Sequence, residues 1–341
     1  MQRVLVCAGD GIGPEVVGAS LHVLGGLDLD LELVEEPVGM AGYDARGAAI
    51  SDDTVAIARD ADAVLLGAVT TPPPSREGYR SPLLTLRREL DLYASVRPAR
   101  PLVPWLSRLA PAPGGGDAPA LDVVVVREST EGLYVGRERE VDGGVLAERL
   151  VTEAGTERLV RFAARYAKDR GRRKLTCVHK ANVLRRSDGL FLETFRRVMV
   201  SKAPGMPVSD IHVDAAAAAM VTEPSSLDVL VTPNLYGDVL SDLAAALTGG
   251  LGTAPSASFG TGTPLFEPVH GSAPDIAGRG VANPTGCLLS TAMMLEHLGH
   301  PTHAARVTSA VVRTLEEGTL TPDLGGDATT RGFAGRVREM L

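Results

Sequence analysis

The sequence predicts an α/β fold with a substantially parallel sheet. Short runs rich in β-branched residues, at 3–9, 29–38, 63–69, 121–129, 174–180 and 227–234, have strand length and end at a turn or a polar residue. Longer amphipathic stretches lie between them, and strands that alternate with helices imply crossover connections and parallel pairing. The chain has 341 residues with 44% apolar content. That length suits one large or two medium domains, since single cores stop growing near about 250–300 residues.

The elements follow in order. RVLVCAG is the first strand and leads into the turn GDGIGPE at 9–15, where Pro14 and Glu15 mark a helix start through PEVVGASLHVLGGL. LDLELVEEPV and AVLLGAV are the next strands, and YRSPLLTLRREL reads as a helix. LAPAPGGGDAPALD at 109–122 is rich in Pro, Gly and Ala and reads as a surface loop ahead of the strand LDVVVVRES. TERLVRFAARYAKDR follows as a helix opened by Thr156 and Glu157, then KLTCVHK, SDGLFLETFRRVMVSKAP, LDVLVTPN and a helix through YGDVLSDLAAAL. The passage TGGLGTAPSASFGTGTPLFEPVHGSAPDIAG is too irregular for one helix and suits a loop system that wraps a ligand. VTSAVVRTLEEG, TPDLGG and GFAGRVREML then read as helix, turn and helix.

The net charge of −8 argues against a nucleic-acid partner, which would need a basic face. It does not exclude an anionic substrate, because a site can be locally basic inside an acidic protein. Cys7, Cys177 and Cys287 are far apart, form no CxxC pair and read as reduced thiols in packing positions. The N-terminal apolar run is too short for a signal peptide, and no stretch has the apolar length of a membrane span. A reducing, cytoplasmic compartment and no membrane partner are expected.

Several residues could carry chemistry. Arg127 ends a strongly apolar strand, where a buried charge needs a partner. Arg97 precedes Pro98 and is extended, and Arg87 lies on a helix. An arginine's fixed fork of donors suits carboxylates, although a structural ion pair is the plainer reading for Arg87. Asp238 and Asp242 stand four apart, on one face of a helix, where like charges repel unless a cation sits between them. With Asp214 they would give a hard divalent cation its oxygen ligands; alternatively they only complement the helix dipole. Lys180 ends a strand, where a lowered pKa would suit a base, and Tyr134 could donate a proton. GDGIGPE lacks the G-x-G-x-x-G spacing of the dinucleotide fingerprint. HGSAPDIAG at 270–278 offers an anion-binding turn and Asp275, an acid that could bind a free ribose 2′-hydroxyl and repel a 2′-phosphate.

Taken together, GDGIGPEV, LRRELDLYASVRP, VVVREST with EGLY, HKANVL, NLYGDVLSD and FEPVHGSAPDIAGRGVANPTG resemble the β-decarboxylating dehydrogenases of isopropylmalate, isocitrate, homoisocitrate and tartrate, nearly end to end. The resemblance implies the two-domain isopropylmalate/isocitrate dehydrogenase-like fold, with a large shared, mostly parallel sheet instead of the ordinary Rossmann arrangement and the active site in the cleft. Residues 1–98 and 251–341 would form the cofactor-binding domain, and 99–250 the substrate, metal and dimerisation domain. Arg87, Arg97 and Arg127 would hold the malate carboxylates. Asp214, Asp238 and Asp242 would bind Mg²⁺ or Mn²⁺. Lys180 would take the hydroxyl proton and Tyr134 would help to protonate the enolate. His270, Gly271, Ser272, Ala273, Asp275, Ile276 and Asn283 would line the adenosine end of NAD. The resemblance also implies a homodimer in which Lys180 and Asp214 reach the partner's site.

The substrate's variable group would face YRSPLLTLRREL. Leu83 and Leu84 look like an apolar pair that accepts an alkyl group, where a carboxylate would lose hydration without gaining a partner. Ser81 instead resembles the serine with which isocitrate enzymes touch the extra carboxylate, and Arg80 is near enough to serve an acidic substituent. The short loop TTPPPSREGYRS looks like the homoisocitrate and archaeal-type members, and Ser129, Glu131 and His179 depart from the usual bacterial isopropylmalate pattern. The reading favours 3-isopropylmalate or another 3-alkylmalate, with homoisocitrate or isocitrate next and tartrate or malate after. A metal-dependent lyase or hydrolase acting on an anion is the alternative of a different class, but it would have no use for an adenosine pocket.

Overall fold

The first apolar run folds as β1 (Gln2–Cys7), with Val4 to Cys7 buried, in the computed structural model of the chain, which describes residues 1–71, 79–109 and 121–341. A strand covered on both faces reads as a continuous apolar run, and this one does. It is followed by α1 (Gly13–Leu24), β2 (Leu31–Glu35), α2 (Met40–Arg46), α3 (Asp52–Asp60), β3 (Ala63–Leu66) and α4 (Pro82–Glu89). Next come β4 (Ala94–Ala99), β5 (Val123–Glu128), the hairpin β6 (Glu138–Val141) and β7 (Gly144–Ala147), α5 (Glu153–Asp169), β8 (Leu175–His179) and α6 (Ser187–Lys202). Then follow β9 (Val208–His212), α7 (Val213–Thr222), β10 (Val229–Thr232) and α8 (Asn234–Leu247). The chain closes with β11 (Pro255–Phe259), β12 (Leu265–Pro268), α9 (Thr285–His297), α10 (Pro301–Glu316) and α11 (Thr330–Glu339).

These elements form two units, Met1–Leu92 with Gly249–Leu341, and Tyr93–Thr248. In the first, the strand order is β2-β1-β3-β12-β11; every neighbouring pair is parallel except β12 with β11. Its core gathers Leu5, Cys7, Leu66, Leu86, Leu92 and Leu265. In the second, the order is β4-β5-β10-β8-β9, parallel except for β4 against β5. Its core gathers Val123, Val125, Met220, Leu230 and Leu240. Each such side chain, once buried, contributes about 1.5–3 kcal/mol relative to exposure. The predicted α/β class with mostly parallel strands is what the chain adopts.

Some elements differ from the sequence reading. β4 pairs with β5 along its whole length, so the chain passes between units at 92/93 and not at 98. The helix assigned to Thr156 begins a turn earlier: Thr152 is its cap, and its hydroxyl accepts from the Gly155 N–H. The Gly-rich passage after α8 is not all loop, since β11 and β12 lie within it. Most of TTPPPSREGYRS and of the 109–122 linker lies outside the described residues. All three cysteines are free and buried, and burial pushes the Cys7 and Cys287 thiols up to about 12. No helix among the described residues is long and apolar enough to cross a membrane.

Candidate active site

β5 and β10 run side by side with Arg127 opposite Thr232, so α8, which begins just after β10, starts beside the end of β5 that carries Arg127. That guanidinium is only 2% exposed. Asn234, itself buried, accepts from its Nε at 2.9 Å and from its Nη2 at 2.7 Å, while its Nη1 pairs with Asp238. From β4, Arg97 donates to Ser241 at 2.9 Å and reaches Asp242 at 3.3 Å and Asp238 at 3.4 Å. The Tyr134 hydroxyl donates to Asp238, and its ring lies 4.9 Å beneath the Arg127 guanidinium. Five of the expected site residues, Arg97, Arg127, Tyr134, Asp238 and Asp242, therefore stand in one constellation.

Gly237 makes this approach possible. A Cβ there would come within 2.2 Å of the Thr232 hydroxyl and 2.7 Å of the Arg127 stem. The electrostatics follow from crowding. Burial first, and then the neighbouring Asp238 charge, push the Asp242 carboxyl up against the opposing pull of Arg97. Burial and the bond to Asp238 likewise push the Tyr134 hydroxyl up, so it keeps its proton at neutral pH. Two partly exposed carboxylates one turn apart are a hard oxygen donor set that fits a divalent cation.

Asp214 does not join them. It pairs with the Lys180 ammonium, which draws its carboxyl below the ordinary range. Among the described residues no three carboxylate, histidine or cysteine side chains form a metal-sized group. The backbone around Lys180 is pinned from both sides. The fully buried Asp188 accepts the Lys180 N–H at 2.6 Å and is ion-paired with Arg149. Burial, with Asp188 adding to it, pushes the Tyr236 hydroxyl up to about 12. His179 accepts the Ala181 N–H on Nδ1, which leaves Nε2 as the proton-bearing nitrogen facing Asp210 at 3.2 Å. Sequence reasoning passed over Asn234, Asp188 and Asp210. Only a charge or amide within or beside a recognisable motif could have pointed to them.

Arg87, in the first unit, forms a buried ion pair with Glu267 at 2.9 Å, the plainer reading weighed for it. On the same helix the supposed apolar pair is split. Leu83 packs on the core of its unit, whereas Leu84 is 47% exposed. The two differ because consecutive helical positions point about 100° apart. Ser81 caps α4, and Arg80 pairs with Asp52 at 3.1 Å.

The expected adenosine loop is held from beneath by the first glycine turn. The Ile12 N–H donates to the Ser272 carbonyl at 2.9 Å, and a Cβ on Gly11 would fall 1.9 Å from that oxygen. Close backbone approach is what GDGIGPE provides here. Asp10 fixes the turn by accepting from the Met40 and Thr70 N–H groups. The Ser272 hydroxyl accepts from Thr70, and Ala273 has a φ of +37°, a conformation L-residues rarely adopt. His270 Nδ1 faces the Gly271 carbonyl at 3.0 Å, so Nε2 is a bare acceptor, buried and without a partner. Burial holds that imidazole below its ordinary pKa. Asn283 is engaged internally, with Asp323 and the Thr285 N–H, while Gly271 and Asp275 are exposed. An orphaned acceptor beside a strained turn fits the hydroxyl-rich end of a nucleotide.

The family model described as isocitrate/isopropylmalate dehydrogenase matches residues 3–337. An isocitrate/homoisocitrate dehydrogenase of Thermus thermophilus is 48% identical over 339 residues, covering 99% of this chain and 98% of its own. A 3-isopropylmalate dehydrogenase of Methanothermobacter thermautotrophicus is 44% identical over 341 residues, covering 99% and 98%. The crystal structure of isocitrate dehydrogenase from Methylococcus capsulatus matches with a TM-score of 0.90 at 42% identity, covering 100% of this chain and 99% of that one.

Proposed function

Because the chain belongs to the isocitrate/isopropylmalate dehydrogenase family, and so is an oxidoreductase that acts on a CH–OH group with decarboxylation, we propose that it oxidises a 3-alkylmalate such as 3-isopropylmalate. NAD and Mg²⁺ or Mn²⁺ are its proposed cofactors. The carrying observation is the constellation on α8, where two arginines, two carboxylates and a protonated tyrosine meet. Arg97 and Arg127 would offer forked donors to substrate carboxylates, and Arg87 would be a third only by giving up its pair with Glu267. Asp238 and Asp242 would hold the cation, and Asp214 would complete its ligands from a partner subunit. The cation would supply Lewis acidity toward the substrate hydroxyl and carboxylate, and NAD would accept the hydride. As a neutral amine, no longer paired with Asp214, Lys180 would take the hydroxyl proton as the substrate's carbinol C–H bond breaks. Loss of CO₂ then leaves the bond's electrons on the substrate as an enolate, which Tyr134 helps to protonate. His270 to Ile276, with Asn283 buttressing the loop, would receive the adenosine end, and Asp275 favours a free 2′-hydroxyl.

The choice of a 3-alkylmalate rests on Leu84, which stands exposed on α4 one turn from Arg87. Isocitrate or homoisocitrate is the second reading. Arg80 favours it: its partner Asp52 is almost wholly exposed, and so loose a surface pair costs little to exchange for a third substrate carboxylate. NADH formation with isopropylmalate, isocitrate, homoisocitrate, malate and tartrate, each with added metal, tests both. A preference for a tricarboxylate refutes the alkylmalate reading, and no NAD binding refutes the cofactor assignment.

A homodimer is part of the proposal. All eight residues of β6 and β7 are exposed, Val145 among them at 67%, and a lone two-stranded hairpin is marginal in water. Val183, Leu235 and Val239 are further exposed apolar side chains of the same unit. Sedimentation of the wild type as a monomer at assay concentration would refute it.

A further inference from the structure

Resting on the constellation just assigned, we propose that Asn234 is a positioning residue whose amide sets the Arg127 guanidinium for a substrate carboxylate. Asn234 opens α8 and is 1% exposed. Its Oδ1 accepts from both Nε and Nη2 of Arg127, at 2.9 and 2.7 Å, and so grips one edge of the guanidinium. Its Nδ2 donates to the Glu131 carbonyl at 3.0 Å. These contacts fix which way the amide points. An arginine has only donors and a carbonyl only accepts, so exchanging oxygen and nitrogen would break every one of them.

The anchor at Glu131 is itself held. Its carboxylate accepts from the Thr152 N–H at 2.9 Å and from the Thr152 hydroxyl, at the cap of α5. The following Gly132 has a φ of +77° and lies so close that a Cβ would meet that of Asn234 at 3.0 Å. Two residues beyond it comes Tyr134. One side chain thus ties the arginine, the loop that carries the tyrosine and the helix that carries Asp238. A neutral acceptor is the right choice for this role. It fixes the plane of the guanidinium without adding a second carboxylate to Asp238, which already pairs with the group meant to meet an anion.

The test combines kinetics with a readout that needs no turnover. With the hydroxy acid that the wild type turns over fastest, Asn234→Ala should raise KM for that acid by about tenfold, as expected for a lost hydrogen bond to a charged group. KM for NAD should not move. In an Arg127→Ala background the same substitution should change KM for the acid by less than about twofold, because the residue through which Asn234 acts is already gone. Equal losses in both backgrounds would mean a merely structural role and overturn the proposal. Asn234→Asp keeps size and shape and guards against a variant that does not fold. It should also raise KM for the acid, and an unchanged KM would overturn the proposal. ¹⁵N NMR of the Arg127 Nε–H gives the independent arm: slow proton exchange in the wild type should become fast in Asn234→Ala. If the wild type oxidises none of the acids, the proposed function falls, and the NMR arm alone decides whether Asn234 holds Arg127.

Discussion

Gly237→Ala isolates the packing on which the constellation depends. The new methyl carbon would sit 2.2 Å from the Thr232 hydroxyl and 2.7 Å from Cβ and Cγ of Arg127, more than an ångström short of ordinary contact with the hydroxyl. Neither neighbour can yield cheaply: Thr232 is fully buried on β10, and the Arg127 stem is buried and held at its far end by Asn234 and Asp238. Overpacking of this kind costs about 1–3 kcal/mol, and the rigid surroundings favour the upper end. Replacing a helical glycine by alanine returns about 1 kcal/mol. The net expectation is a loss of about 2 kcal/mol, together with a raised KM for the hydroxy acid as Arg127 is pushed aside. Gly335 in α11 provides the control, since a Cβ there meets nothing within 4 Å. Gly335→Ala should therefore stabilise by about 0.4–1 kcal/mol and leave KM alone. Urea unfolding and steady-state kinetics on the two variants decide the matter. Equal stability changes in the two, or a destabilised Gly237→Ala with an unaltered KM, would refute the argument that Gly237 is required by Arg127.

Removing one half of the buried Arg87–Glu267 pair by Glu267→Ala should cost about 3–5 kcal/mol in denaturant titrations, because the guanidinium is left charged in the interior. Asp210 is drawn below the usual carboxylate range although burial opposes this, through Arg196 and His179. Its contribution to stability is therefore present above the unfolded pKa and is lost as pH falls through the lower folded value. In Arg196→Met, the ¹³C carboxyl resonance of Asp210 should titrate at higher pH than in the wild type. Mn²⁺ should raise the thermal midpoint of the wild type but not of Asp238→Asn by scanning calorimetry, and an equal shift in both would remove Asp238 from the proposed ligand set.

The parts of the fold legible in the sequence were those where burial is symmetrical. β1, β3, β5, β8 and β10 are continuous apolar runs because both faces are covered, and each was visible as such. β11 was hidden because it packs Ser256 and Ser258 where a strand usually shows branched apolar residues. β9 and the β6–β7 hairpin are partly or wholly exposed, and their short runs lack the continuous apolar stretch that marks a strand covered on both faces. In the site, Asp238 and Asp242 were legible because helical spacing alone puts them on one face, while Arg97 and Tyr134 could reach them only through tertiary structure. The splitting of Leu83 from Leu84 was not legible, because which of two neighbouring leucines faces a core depends on how α4 is rolled.

The first unit is assembled from the two ends of the chain, and this has a consequence for how the protein is made. β12 fills the place between β3 and β11, with Leu265 opposite Val64, some two hundred residues later in the sequence. During synthesis β3, whose four residues are all buried in the finished fold, waits with an apolar edge open until residue 268 has left the ribosome. Tyr93–Thr248 is one continuous stretch and meets no such delay. A ribosome that stalls or terminates before β12 thus releases a chain bearing a bare, sticky strand. Synthesis rate and chaperone supply through residues 93–268 should govern the yield of this protein more than anything done to its active site.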